Sequence, residues 1–446
     1  MHRRPAVVGL VVASILAILA LGWFDVRQRA RTDRGAKYHR TDLTVYLAAA
    51  EALGDGGDPY DAASPRGWRY VYPPLLAIVA RPLTALAVPD AALVVYGLSV
   101  AALVLAARAL ARGMGARGRL AVALGTLACA PFVVQTLQRG QVTLVLLALQ
   151  VLAWAALARG RDVRAGLLLA AGVGLRLTPL LPAAMAGLAC LVRVARGDRA
   201  GWRFPLGFAA GLVVAFVAVP VLVLGPARAR EVTARWLEVG RDVYAAAPGE
   251  LADLRRDYAI NEWSFKNQGV RRVAGTTIAR LEGRPVADDG RPDLGASEAT
   301  ADRVALVAAA LAGIAAVVVA LRRMGAPGSA AYRAAFAVGM ALPAFGTRYC
   351  YPVHLVVLLP LLAEVALAWP RARARVAAVV WGAGLAAFYA AHVVAGVRPA
   401  AEHGVVPAAL LVVLLCAPWR AGEGAAEGAA RAAEATTTAM LSLIHI

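Results

Sequence analysis

The chain carries one apolar run after another, most of them roughly 17 to 22 residues long, from Ala6 to Cys416. An α-helix needs about 20 residues to cross the ~30 Å hydrocarbon core of a bilayer, so runs of this length read as membrane spans. Hydrocarbon offers no partners for backbone polar groups, so each run is expected to satisfy its own as a helix. The candidate spans are 6–24, 91–111, 120–137, 142–158, 165–178, 179–192, 204–225, 301–321, 331–347, 352–369, 376–396 and 404–419. Spans 165–178 and 179–192 are short and meet at Leu177-Thr178-Pro179, which also suits two half-helices. The apolar stretch 71–89 contains Pro73, Pro74, Arg81 and Pro82 and reads as a re-entrant or interfacial segment. A full crossing there would invert everything after it. The expected class is an all-α integral membrane protein, a polytopic bundle of about twelve helices (about 11–13).

Composition agrees. Hydrophobic residues make up 60% of the chain and charged residues 17%, against about one quarter charged in soluble domains. That excludes a soluble globular enzyme. Cys129, Cys190, Cys350 and Cys416 lie in or beside apolar runs with no CxxC spacing, so they read as small buried hydrophobes and not as a disulfide framework.

The net charge of +19 is a topology signal. With the N-terminus inside, arginine clusters such as 108–119, 159–164, 193–203 and 371–375 all fall on one side. The two long connections on the other side, 25–70 and 226–300, are nearly balanced, with eight basic residues against seven acidic and twelve against twelve. By the positive-inside rule the arginine side is cytoplasmic, as are both termini. No basic stripe is interleaved with aromatics, so nucleic-acid binding is not expected. The run 6–24 reads as a retained signal anchor, since it lacks a small-x-small cleavage site. Residues 1–420 form one transmembrane domain with large extracytoplasmic loops 25–70 and 226–300; residues 421–446 are a low-complexity tail with little to bury.

Polar residues that topology leaves unexplained collect on the face opposite the arginines. Thr41 to Leu53 reads as a helix at the membrane surface, with Leu43, Tyr46, Leu47, Ala50 and Leu53 forming its apolar stripe. Asp42 lies in its first turn, where any helix favours an acid; Glu51 lies on the opposite side and shares no site with it. Trp68, Tyr70 and Tyr72 suit an interface belt. Arg176 interrupts an apolar region, a costly position that points to function unless the side chain snorkels from a helix end. Gln141 heads a span, where an amide either meets a sugar hydroxyl or caps the turn. His354 follows Arg348 at the start of another apolar run, where the pair suits a phosphate or a proton transfer. Asn261 to Gly269 mixes amides, aromatics and Lys266, as carbohydrate-facing loops do. There is no HxxH, HExxH or carboxylate cluster for a metal, and no glycine-rich nucleotide loop.

Taken in order, these pieces resemble glycosyltransferase family 87. The matching residues are Asp42-Leu43-Thr44-Val45-Tyr46 with Ala50, Pro59-Tyr60, Tyr72-Pro73-Pro74, Gly140-Gln141, the Arg176 to Pro179 break, Lys266-Asn267-Gln268 and Pro352-Val353-His354. The resemblance spans residues 1–420. It implies a bacterial inner-membrane enzyme of GT-C architecture that moves mannose from a polyprenyl-phosphate donor to a glycolipid or glycan acceptor outside the cytoplasm. It further implies Asp42 and His354 as catalytic residues, Arg176 and Arg348 on the donor phosphate, and Tyr46, Tyr72, Gln141, Lys266, Asn267 and Gln268 along the substrate. Neither metal nor cofactor is expected, because the lipid-linked donor is itself a substrate. The sequence departs from the family in having Arg176 for lysine, Gly269 for serine, and Tyr349-Cys350 for Ser-Trp. The rival reading, a flippase for a lipid-linked saccharide, predicts internal repeats and mid-membrane charges. No repeat is visible, which favours the enzyme.

Overall fold

A computed structural model describes residues 41–65, 67–112, 114–245, 269–286, 292–323, 329–342, 352–368, 372–390 and 405–416. Among these residues the chain is helical, with isolated bridges but no strand. In chain order the α-helices are α1 (Thr41–Gly54), α2 (Pro74–Ala80), α3 (Val88–Ala111), α4 (Gly115–Ala128), α5 (Ala130–Arg139), α6 (Thr143–Leu157), α7 (Asp162–Leu175) and α8 (Leu180–Ala195). They continue as α9 (Arg203–Val213), α10 (Val219–Leu224), α11 (Pro226–Ala245), α12 (Val270–Leu281), α13 (Glu298–Arg323), α14 (Ala330–Ala341), α15 (Leu359–Leu367), α16 (Ala372–Ala390) and α17 (Val405–Cys416). The first expected span, 6–24, lies outside the described residues.

Among the described residues helix lies along the other expected spans, but three stretches are long and apolar enough to cross a bilayer alone: Val88–Ala111, Arg199–Leu224 and Glu298–Val319. The others are shorter apolar helices or a bent pair, and proline accounts for the clearest break. The run 120–137 becomes α4 and α5, bent by 57°, because Pro131 withdraws an amide donor and its ring crowds the preceding turn. Pro220 likewise removes the donor for the Phe216 carbonyl. The ladder there widens into a π turn over Val214–Ala218. The stretch 71–89 gives α2 and a 3₁₀ turn, Arg81–Ala85. Its helical part, Pro74–Ala85, is about 18 Å long at 1.5 Å per residue, too short to span.

The helix α6 is buried around nearly all its circumference, as an apolar helix without a polar face should be. It anchors the main core with Phe132, Trp154, Phe336 and Leu359. Elsewhere large apolar side chains face outward, among them Leu206, Val213 and Leu222 (84% exposed) on the segment 203–224 and Leu306, Leu311 and Ile314 on α13. Such surfaces fit lipid and not water.

Lipid gives helices no hydrophobic drive to associate, so close packing must do it. The contact between α7 and α9 is built from Gly166 and Ala170 against Gly207 and Gly211, and the small-xxx-small stripes continue with Gly174 against Ala215 in the π turn beyond α9. A Cβ on Gly207 would sit 2.4 Å from the Val163 carbonyl oxygen, and one on Gly166 would sit 2.4 Å from the Phe208 nitrogen. Both obstacles are backbone and cannot rotate away. Gly207→Leu is therefore expected to destabilise the protein by about 1–3 kcal/mol or more, read as a lowered melting temperature in detergent. Gly240→Ala, where a Cβ meets nothing within 4 Å, serves as the control and is expected to be slightly stabilised by the helix preference of alanine.

Two expectations need correction here. The connection 226–300 is not all loop, since α11 and α12 occupy much of what is described. Val232, Trp236 and Val239 recur at helical spacing and pack onto the cluster under α1, and their polar neighbours had hidden that stripe. The helix α1 is also not laid on a surface: Leu43, Val45, Tyr46, Leu47, Ala49 and Ala50 are all buried, so it is enclosed on most sides.

Candidate active site

The site begins with a helix cap. Gly140 follows α5 at φ +65°. Its N–H donates to the Leu137 carbonyl (3.1 Å) and the Gln141 N–H donates to the Thr136 carbonyl (3.0 Å), which is a Schellman motif. A Cβ at Gly140 would lie 2.7 Å from the Leu43 Cβ. Glycine is thus required twice, for its backbone and for the approach of this turn to α1. That approach carries Gln141, 3% exposed, to Asp42.

The Gln141 amide bridges a charge pair. Its Nε2 donates to Asp42 Oδ1 at 2.9 Å, while its Oε1 accepts from Thr143 Oγ1 at 2.9 Å and from Arg176 Nη1 at 3.5 Å. A carboxylate only accepts and a guanidinium only donates, so one amide orientation satisfies both sides. Arg176 is delivered by the end of α7, where its backbone turns extended before Thr178-Pro179. Pro179 packs back on Gly172, which sets the reversal into α8.

Arg176 Nη2 lies 2.6 Å from His354 Nε2. Since the guanidinium can only donate, Nε2 accepts and the imidazole proton resides on Nδ1. The guanidinium carbon also stands 5.3 Å from the centre of the Tyr72 ring, a cation–π contact. Tyr46 meets Tyr72 edge-on with centroids 5.4 Å apart. Burial raises the Tyr46 phenol well above its usual range, the neighbouring Tyr72 and Asp42 push the same way, and Arg176 opposes them. Tyr46 therefore stays neutral beside the carboxylate.

Of the aromatics expected at an interface, Tyr70 turns out to be scaffold. Tyr70 is fully buried, donates to the Pro73 carbonyl at 2.6 Å and accepts from the Ala77 N–H at 3.0 Å. Tyr60 donates to the Tyr72 carbonyl at 3.1 Å. An interface belt would have left the Tyr70 hydroxyl wet. Behind them Arg235 of α11 pairs with Asp58 (3.1 Å) and Asp61 (3.2 Å), tying the stretch 55–72 to α11.

Six sequence-derived candidates are therefore in one cluster: Asp42, Tyr46, Tyr72, Gln141, Arg176 and His354. Arg348, Lys266, Asn267 and Gln268 lie outside the described residues. Sequence reasoning missed Thr143 and Arg235. Thr143 stands two residues beyond Gln141 on the first turn of a span, a position where a hydroxyl otherwise goes unremarked.

An all-helical, lipid-compatible bundle thus gathers a carboxylate, an amide, a guanidinium and an imidazole where α1, α5, α6 and α7 meet. The family model for glycosyltransferase family 87 matches residues 70–347, more than half of the chain, and the chain belongs to that family. The match takes in Tyr72, Gln141 and Arg176 but neither Asp42 nor His354, which the fold alone brings to them. No curated protein and no solved structure matches the chain.

Proposed function

We propose that this glycosyltransferase is inverting, and that it moves mannose from a polyprenyl-phosphate donor to a glycolipid or glycan acceptor on the extracytoplasmic face of a bacterial membrane. The observation that carries this reading is the Gln141 bridge, which brings a base and a cation into one site. A phosphate-linked donor has a good leaving group, so the transfer needs a base for the acceptor and cations for the departing phosphate. In the proposed step the acceptor oxygen bonds to the anomeric carbon as Asp42 takes its proton. The anomeric C–O bond to phosphate breaks, and polyprenyl phosphate leaves as an anion against Arg176. His354 orients Arg176, and Arg348 adds charge to the same phosphate. Tyr46, Tyr72, Lys266, Asn267 and Gln268 line the sugar and acceptor.

The test is a donor panel on the purified full chain with a mixed lipid acceptor extract. Radiolabel is expected to move from polyprenyl-phosphate-mannose and not from nucleotide-linked mannose, giving a product anomer opposite to that of the donor. Transfer from the nucleotide sugar, or retention of configuration, would overturn the reading.

A further inference from the structure

The hairpin of α6 and α7 has two functional-looking ends. One end supplies Gln141, Thr143 and Arg176. The other lies about 20 Å away by helix length, where the turn 158–161 and the end of α3 line an open cleft of about 190 Å³. Four arginines line it: Arg112, Arg159, Arg161 and Arg164. None of the four makes an ion pair among the described residues, whereas the neighbouring Asp162 is already held by Arg193 at 3.2 Å.

This turn is built. Gly160, at φ +67°, closes a second Schellman motif, with the Gly160 N–H on the Leu157 carbonyl and the Arg161 N–H on the Ala156 carbonyl, both at 2.9 Å. Arg159 Nη1 donates to the Ala155 carbonyl at 2.7 Å, fixing that guanidinium at the rim. The remaining wall is small and apolar, with Leu152, Ala155 and Ala156. A topology signal needs only that arginines lie on one side. It does not need them to converge on a cleft.

We propose that this pocket binds the phosphate headgroup of an anionic membrane lipid. Arginine forks match phosphate oxygens two at a time, and an uncompensated cluster of four attracts that charge. The lipid source follows from α3. Leu98 and Leu105 are exposed at seven-residue spacing, and Arg112 continues that spacing. Seven residues are almost two helical turns, so all three lie on one face. An acyl chain on Leu98 and Leu105 leads its headgroup to Arg112. The site lies at the end of the hairpin opposite Asp42, the end that the positive-inside pattern assigns to the cytoplasm.

The test uses the full chain in phosphatidylcholine nanodiscs containing phosphatidylglycerol, with retained lipid counted by native mass spectrometry after release. Wild type is expected to keep phosphatidylglycerol in preference to phosphatidylcholine. Each arginine near an anionic headgroup is worth about fivefold in binding, so Arg159→Gln/Arg161→Gln is expected to lose more than tenfold. Arg117→Gln/Arg119→Gln removes the same charge from outside the pocket and is expected to lose less than twofold. Equal loss in both pairs, or no loss in the first, overturns the proposal. Full displacement of the lipid by equimolar inorganic phosphate overturns the lipid source and leaves a free-anion site. If the glutamine pair fails to insert, Arg159→Lys/Arg161→Lys keeps the topology charge while losing the forks. Retention in that pair is expected to fall several-fold, and unchanged retention overturns the proposal.

Discussion

Asp42→Asn is expected to fold normally and to transfer sugar about 10²–10⁴-fold more slowly than wild type, the range for loss of a positioned base. Asparagine keeps the shape of aspartate, and its side-chain oxygen can still accept from Gln141 Nε2, the 2.9 Å bond seen here. The bridge to Arg176 therefore survives while the proton acceptor is lost. Single-turnover transfer from polyprenyl-phosphate-mannose checks this, with the melting temperature measured in parallel. The loss should fall on the rate of the chemical step, with donor affinity nearly unchanged. Equal transfer by both proteins would remove Asp42 from the mechanism.

Arg176→Met is expected to cost about 10²–10³-fold, comparable to removing one donor that stabilises developing negative charge. Methionine fills similar space but carries no charge, so Gln141 Oε1, His354 Nε2 and the Tyr72 ring each lose a cationic neighbour. Arg176→Lys separates charge from geometry. A lysine ammonium keeps the charge on the phosphate, but it is a compact point and cannot reproduce a planar fork between Gln141 and His354. It is expected to retain more activity than methionine, with a loss of about tenfold. Titrating donor concentration distinguishes the roles, since a phosphate contact raises the donor KM as well as lowering the rate. Wild-type kinetics in Arg176→Met would show that the guanidinium only snorkels.

Much of the site was legible along the chain, for identifiable reasons. Asp42 marked a helix start, Arg176 broke an apolar region at a proline turn, and His354 opened an apolar run. Each is an anomaly against a monotonous background, and anomalies can be read locally. Gln141 was harder, because an amide at a span start has an ordinary capping explanation. Its role depends on Asp42, 99 positions away. Tyr70 misled for a related reason. An aromatic cluster at the start of an apolar run suits an interface equally well, and only enclosure by α2 and α11 makes Tyr70 a scaffold.

The helices also divide along these lines. Apolar length alone dictates an all-α membrane architecture, because hydrocarbon forces each segment to satisfy its own backbone. Hydropathy does not register where a helix stops. Pro131 breaks the run 120–137 and Pro220 distorts 204–225 without making the chain polar, so a run that reads as one span need not fold as one straight helix. Sequence by itself determined the class, the arginine-rich side and the isolated charges that invite chemistry, since all three depend on residue type and near neighbours. Tertiary structure alone decided which charges share a site. The Gln141 bridge and the four-arginine pocket join residues from different helices, and such distances depend on packing, which local patterns do not encode.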